Sequence, residues 1–382
     1  MTPAVFHLCS DYAKQGLYAE LLRSIASAGA GTRQFMYVPT RTAAELDVGR
    51  ITDDPSIQFR FQHMLRPYHR LMFRTKVRRV LSDVLSDTPV AQFRMVHAHF
   101  LYSDGAVARG LQRIHGLPYL VAVRNADINF FMRYRPDLAV IRNDVLRHAS
   151  RVLFLSPAYR EAFVGRLPAS LREMVLSKSM VVPNGIGSEW LTEAPASTER
   201  GPGPLRLLYV GDFTPNKNIA GIVAAVQLLR DEGAATLTVV GGGSDINGAV
   251  QQLLERNAGR GVASLGRIRD RERLRTLYSE HDILVMPSFH ETFGLAYIEA
   301  LSQGLPIVHS RGQGVDGYFA PGTVASAVDP SDPHSIAAGI RELASRLPGI
   351  RAACRREARR FSWGQVGQTY GDTYRAIVGD AA

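Results

Sequence analysis

Cysteine is almost missing: the 382 residues contain two, Cys9 and Cys354, far apart and without the close spacing of metal ligands. That argues against a disulfide framework and leaves two reduced thiols. Long apolar runs are missing as well, none approaching the roughly 18 residues that cross a bilayer. Residues 1–11 lack the charged-then-apolar order of an export signal, so the expected place is the cytoplasm, at most against the inner face of a membrane. What is present is 46% hydrophobic and 21% charged residues in a chain long enough for two domains with a core each.

Charge is distributed unevenly. The formal net charge is +10; residues 1–190 hold 25 Lys and Arg against 15 Asp and Glu, and the remainder holds 20 of each. The whole excess lies in the first half, which points to an anionic partner there, either a membrane surface or an acidic acceptor. No recognised nucleic-acid-binding motif accompanies it, so no nucleic acid is expected. The basic residues are densest over 61–81, where Leu65, Tyr68, Met72 and Phe73 interleave with Arg66, Arg70, Arg74, Lys76, Arg78 and Arg79. From Pro67 onward this predicts an amphipathic basic helix, fit to lie on an anionic membrane or to pack with a basic outer face.

Six apolar runs, 5–8, 34–38, 95–98, 119–123, 152–155 and 180–182, alternate with helical segments, the pattern of a parallel sheet covered on both faces. Sites in such sheets lie beyond the C-terminal strand ends. The polar residues there are Lys14, Gln15 and Gly16 after the first run, His97 and His99 at the third, and Arg124, Asn125 and Asp127 at the fourth. Histidines two apart on a strand point the same way, but no further ligand is apparent nearby in sequence, so they read as packed at a strand end and no metal is expected. Residues 191–204, rich in Pro, Gly, Ser and charge without periodicity, read as a linker.

The second half restarts at 205–210, with Gly211 and Lys217 after that run. The run 236–240 leads to Gly241, Gly242 and Gly243, and 262–265 to Gly266, Arg267 and Ile268. A strand at 283–286 then passes through a turn into a helix near Gly294, whose first N–H groups can meet an anion. Glu291 precedes that helix and Glu299 lies inside it.

Pro287-Ser288, Glu291, Phe293-Gly294-Leu295, Glu299-Ala300 and Gly304-Leu305-Pro306-Ile307-Val308 resemble the Glu-x7-Glu signature of the family-4 retaining glycosyltransferases. The resemblance is dense over 205–375 and thinner before it. It implies the GT-B fold, α/β with two Rossmann-like domains facing across a cleft: 1–190 for the acceptor, 191–204 as linker, 205–360 for the nucleotide sugar, and 361–382 crossing back to the first domain. It implies that Glu291, Lys217 and Asp127 carry the chemistry. Donor contacts fall to Glu299 at the ribose, to Phe293, Gly294, Leu295, Gly211 and Gly242 around the diphosphate loops, and to Arg267 and Ile268 at the base. Lys14, Gln15, Gly16, His99, Arg124 and Asn125 fall on the acceptor or sugar side. The donor expected is a UDP- or GDP-type sugar and the acceptor a glycan or lipid-linked precursor of a bacterial surface polysaccharide or glycolipid. No organic cofactor is implied, and since no Asp-x-Asp occurs, no bridging divalent metal is expected.

Two departures stand out. Asp212 occupies a place where relatives often carry arginine, and Arg124-Asn125 replace a common His-Gly pair. Two other readings stay open: a sugar-nucleotide epimerase, which can use the same fold and turns over donor without acceptor, and, on these departures, a nucleotide-binding subunit without turnover.

Overall fold

In the computed structural model, residues 4–14, 16–28, 32–192, 203–231, 235–243 and 248–379 are described. The chain forms two compact units: Met1–Leu155, Arg160–Gly185 and Trp363–Ala382 make the first, Ser156–Tyr159 and Ile186–Ser362 the second. The expected linker falls largely on 193–202, outside the described residues.

The first unit holds seven parallel strands: β1 (Ala4–Leu8), β2 (Arg33–Thr40), β3 (Ile57–His63), β4 (Met95–Ala98), β5 (Tyr119–Ala122), β6 (Arg151–Phe154) and β7 (Ser179–Val181), in the order β3-β2-β1-β4-β5-β6-β7. β1, β4 and β5 are buried at every position, as strands with helices over both faces must be. The sequence reading missed β3, whose Ile57, Phe59 and Phe61 alternate with Gln58, Arg60 and Gln62 at the period of a strand. It also began the basic helix too early. Pro67–Arg70 is a single tight turn, and the helix runs Phe73–Asp87. Phe73, Lys76, Val80 and Val84 face inward while Arg74, Arg78 and Arg79 face solvent.

The helix Trp363–Gly379 completes this unit. Val366, Tyr370, Tyr374 and Ile377, spaced to share one stripe, pack on Val5, Leu21, Ile25, Met95 and Leu120. Gly367 allows the approach: a Cβ there would lie 2.2 Å from the Ser24 carbonyl oxygen.

The second unit holds β8 (Leu205–Asp212), β9 (Ala235–Gly242), β10 (Val262–Gly266), β11 (Ile283–Val285), β12 (Ile307–Ser310) and β13 (Ala325–Val328), all parallel, in the order β10-β9-β8-β11-β12-β13. From β8 the chain winds outward through β9 and β10, then returns to β11 on the other side. The crevice beyond the ends of β8 and β11 is therefore a topological switch point, where open α/β sheets place ligands; β1 and β4 form the same arrangement in the first unit. Among the described residues no helix is long and apolar enough to cross a membrane.

Candidate active site

The switch point of the second unit is built from three loops locked by hydrogen bonds. After β8, Pro215–Lys217 makes one tight turn, and Asn218, at φ 55°, redirects the chain into the helix Ile219–Asp231. After β11, the Phe289 N–H donates to the Asn216 carbonyl, the Asn216 amide donates to the His290 carbonyl, and the His290 N–H donates back to the Asn216 side chain. After β12, the Gly314 N–H donates to the Glu291 carbonyl at 2.8 Å and the Gln313 side chain accepts from the Glu291 N–H. This lattice puts the Lys217 Nζ 2.6 Å from a Glu291 carboxylate oxygen, both side chains mostly buried.

Gly294 then turns the chain at φ 81° into the helix Leu295–Ser302. A Cβ at 294 would collide with the Tyr297 ring at 2.5 Å, so only glycine fits. Tyr297 is itself held by its hydroxyl on the Met286 carbonyl. The first N–H groups of this helix, at Leu295 and Ala296, have no partner within it, and the Gly294 turn just before them lies against Glu291, a ready place for a phosphate. Phe293 is buried and supports the turn from beneath, packing on Tyr318 and Phe361.

Gly211 and Gly242 lie at the ends of β8 and β9, where the register pairs Gly211 with Gly241 and Asp212 with Gly242. The Arg267 guanidinium, from beyond β10, donates to Asp212 and to the Gly242 carbonyl, each at 3.0 Å. A cation thus reaches Asp212 from beyond another strand. Both partners are largely exposed, so the pair adds little stability. Ile268 follows, half-buried. Glu299 is partly buried and accepts from the Tyr278 hydroxyl at 3.2 Å. Burial pushes its carboxyl up to about 7, against smaller opposing effects of Tyr278 and Arg271.

The first-unit residues divide differently from the expectation. Lys14 is exposed and paired with Asp11 at 2.6 Å, Gly16 caps the helix Leu17–Ala28 through its carbonyl, and Asn125 is exposed and bonded to Asn129. Gln15 lies outside the described residues. Asp127 corrects the sequence reading: it is fully buried, and its carboxylate accepts the N–H groups of Leu101, Tyr102 and Arg124 at 3.2, 3.2 and 2.8 Å. It ties the ends of β4 and β5 together and offers no surface to a substrate. Arg124 is likewise buried, donating to the His99 carbonyl and standing over the Tyr18 ring. His99 is also closed off. It stacks on His97, and its Nε2 is 3.2 Å from the Nδ1 of His7, which sits directly across from His97 in the β1–β4 register. The sequence reading saw two histidines with no third group nearby, and parallel pairing supplies it. One nitrogen from each of the three lies within 4.8 Å of the others. Burial drives all three rings to the neutral form, with Arg124 adding to the effect at His97 and His99.

The fold is of GT-B type, with two parallel α/β Rossmann-like sheets, and is similar over nearly the full chain to solved structures of that fold. Sucrose-phosphate synthase from Thermosynechococcus elongatus matches with a TM-score of 0.74 at 20% identity, covering 99% of this chain and 100% of that one. Anabaena HepE in complex with UDP matches with a TM-score of 0.71 at 16% identity, covering 98% and 100%. Residues 192–361, the segment that carries Lys217, Glu291 and Glu299, match the family model of glycosyl transferases group 1. Among curated relatives, a D-inositol 3-phosphate glycosyltransferase of Geodermatophilus obscurus is 28% identical over 310 residues, 76% of this chain and 68% of its own. A glycogen synthase of Mycobacterium tuberculosis is 30% identical over 208 residues, 53% and 49%.

Proposed function

We propose that this chain is a retaining, metal-independent glycosyltransferase of the Glu-x7-Glu type. On this reading it moves a sugar from a UDP- or GDP-type donor to a glycan or lipid-linked acceptor in bacterial surface polysaccharide or glycolipid synthesis. The observation that carries this is the Lys217–Glu291 pair, 2.6 Å apart at the switch point and beside a helix start. Breaking the bond between the anomeric carbon and the phosphate oxygen builds negative charge on that oxygen. Fixed positive groups in a partly dry site stabilise it best. Lys217 and the first N–H groups at Leu295 and Ala296 supply them, and Glu291 orients the sugar. The new bond forms to the acceptor oxygen on the face the phosphate leaves, and the acceptor's proton passes to the departing phosphate oxygen. Asp127 drops out of the chemistry and keeps a positioning role.

The test is a panel of UDP-, GDP- and ADP-sugars with glycan and prenyl-linked acceptors, with the anomeric configuration of the product read by NMR. Transfer with retention is expected; inversion, or donor turned into an epimer without acceptor, contradicts the proposal.

Glu299 gives a prediction in pH. Its folded value near 7 lies above the ordinary 4.5, so the folded chain holds a proton that the unfolded chain has released. Its contribution to folding is present at low pH and fades as pH rises from about 4.5 through 7. Ribose hydroxyls donating to Glu299 favour its charged form. Nucleotide binding near pH 6.5 should therefore release close to one proton, measured by calorimetry in buffers of different ionisation enthalpy, and Glu299→Gln should abolish the release.

A peripheral contact at the inner membrane face belongs to the same proposal, supported by exposed Arg70, Arg74, Arg78 and Arg79 beside exposed Tyr68, Leu71 and Met72. Replacing the four arginines by serine should abolish flotation with anionic vesicles; unchanged flotation removes the contact.

A further inference from the structure

The first unit has a cavity that none of the chemistry above uses. It has a volume of about 310 Å³ and lies beyond the C-terminal ends of β1, β2, β4 and β5, at that unit's own switch point. Its wall carries Lys14, Arg41, Arg70 and Lys76 against the carboxylate of Asp11. Phe73, Phe100 and Phe131 make the apolar side.

Lys76 is the unusual member. It sits on the inward face of the helix Phe73–Asp87, almost wholly buried, and its Nζ donates to the Ser103 hydroxyl at 2.8 Å. Burial depresses its pKa to about 8, with the nearby Asp104 opposing. Asp104 is occupied by the Ser10 hydroxyl and N–H. A lysine carried inside with no salt bridge among the described residues is costly unless an anion meets it.

The second observation is His69, also in the cavity wall and buried. Its Nδ1 accepts the Arg66 N–H at 2.9 Å, which puts the ring hydrogen on Nε2. That Nε2 is buried with no hydrogen-bond partner among the described residues. Donors and cations thus converge, and the side chains present ask for an acceptor-rich anion.

We propose that this cavity binds a phosphate or diphosphate group of the sugar acceptor, through Lys76, Arg41, Arg70 and the Nε2–H of His69, with the phenylalanines covering the apolar part of the same molecule. The inference deepens the glycosyltransferase reading by naming the acceptor's chemistry. Phosphosugars and lipid phosphates share that chemistry. The exposed Leu71, Met72, Phe130 and Tyr134 near the cavity's basic turn give a prenyl chain somewhere to lie.

The test uses the full chain saturated with UDP, so that the donor site is filled, titrated calorimetrically with glucose 6-phosphate, with farnesyl phosphate and with uncharged glucose and farnesol. One equivalent of at least one phosphorylated probe should bind, and neither uncharged probe. Binding of the sugar phosphate assigns a soluble phosphosugar; binding that requires the prenyl chain assigns a lipid phosphate. Lys76→Met should weaken the phosphorylated probe by on the order of tenfold or more, as loss of a charge-assisted contact does. Arg41→Gln and Arg70→Gln, at positions that are not core, should each weaken it several-fold, while Arg147→Gln on the exposed surface leaves it unchanged. UDP affinity should stay constant in all four variants. Failure of UDP to bind wild type sinks the donor reading alone. Absence of any phosphate-dependent second site, or equal affinity in Arg41→Gln and Arg70→Gln, overturns this one.

Discussion

Glu291→Ala and Lys217→Ala should each lower kcat/KM by on the order of 10²-fold or more, the scale set by losing one preorganised electrostatic group. The two losses should not add. The side chains touch at 2.6 Å, so removing either leaves the other without its partner, and the double variant should cost little more than the worse single one. The split between parameters is informative. Lys217 opposes charge that grows as the phosphate leaves, so its loss falls mainly on kcat. Steady-state kinetics with a saturating acceptor measures both, and near-normal turnover in the two single variants contradicts the assignment.

The second large effect concerns the glycines that end β9. Gly241 and Gly242 have nearly the same φ, 156° and 157°, a value that costs a residue with a Cβ at either place. Their surroundings differ. A Cβ on Gly241 would lie 1.8 Å from the Gly211 carbonyl oxygen and 3.0 Å from the Phe213 ring, whereas on Gly242 it meets only the Arg267 Cβ at 3.9 Å. Gly241→Ala should therefore destabilise the chain by about 2 kcal/mol or more beyond Gly242→Ala, the range of a forced backbone shift. It should also weaken UDP binding, because the displaced Gly211 lies at the end of β8, just before the loop that carries Lys217. Thermal melting and calorimetry of the pair separate steric from conformational cost; equal melting temperatures refute the close approach.

What the sequence showed depends on how local each signal is. Glu291, Gly294 and Glu299 sit within one strand-turn-helix passage, and their order along the chain already sets their order in the site. Lys217 is 74 residues from Glu291, yet both follow strands, and the sheet brings the two strand ends together. Asp127 and His99 also follow strands, but the same rule misled there. Whether a strand-end carboxylate faces a ligand or accepts neighbouring N–H groups depends on where Leu101 and Tyr102 run, and nothing near Asp127 in the chain records that. His7 was overlooked because it becomes the neighbour of His97 only through the β1–β4 register. β3 was hidden for another reason: as an edge strand it carries polar residues on alternate positions, and its last three residues, 61–63, fell within the segment read as basic. The basic cavity is the least legible feature, since its cations follow β1, β2, β3 and the turn before the helix, and only the sheet order gathers them.

The most direct test is a crystal structure of the chain with UDP. The diphosphate is expected against the N–H groups of Leu295 and Ala296 with Lys217 in contact and the ribose hydroxyls on Glu299. Nucleotide bound elsewhere, or a Lys217–Glu291 pair left undisturbed beside it, contradicts it.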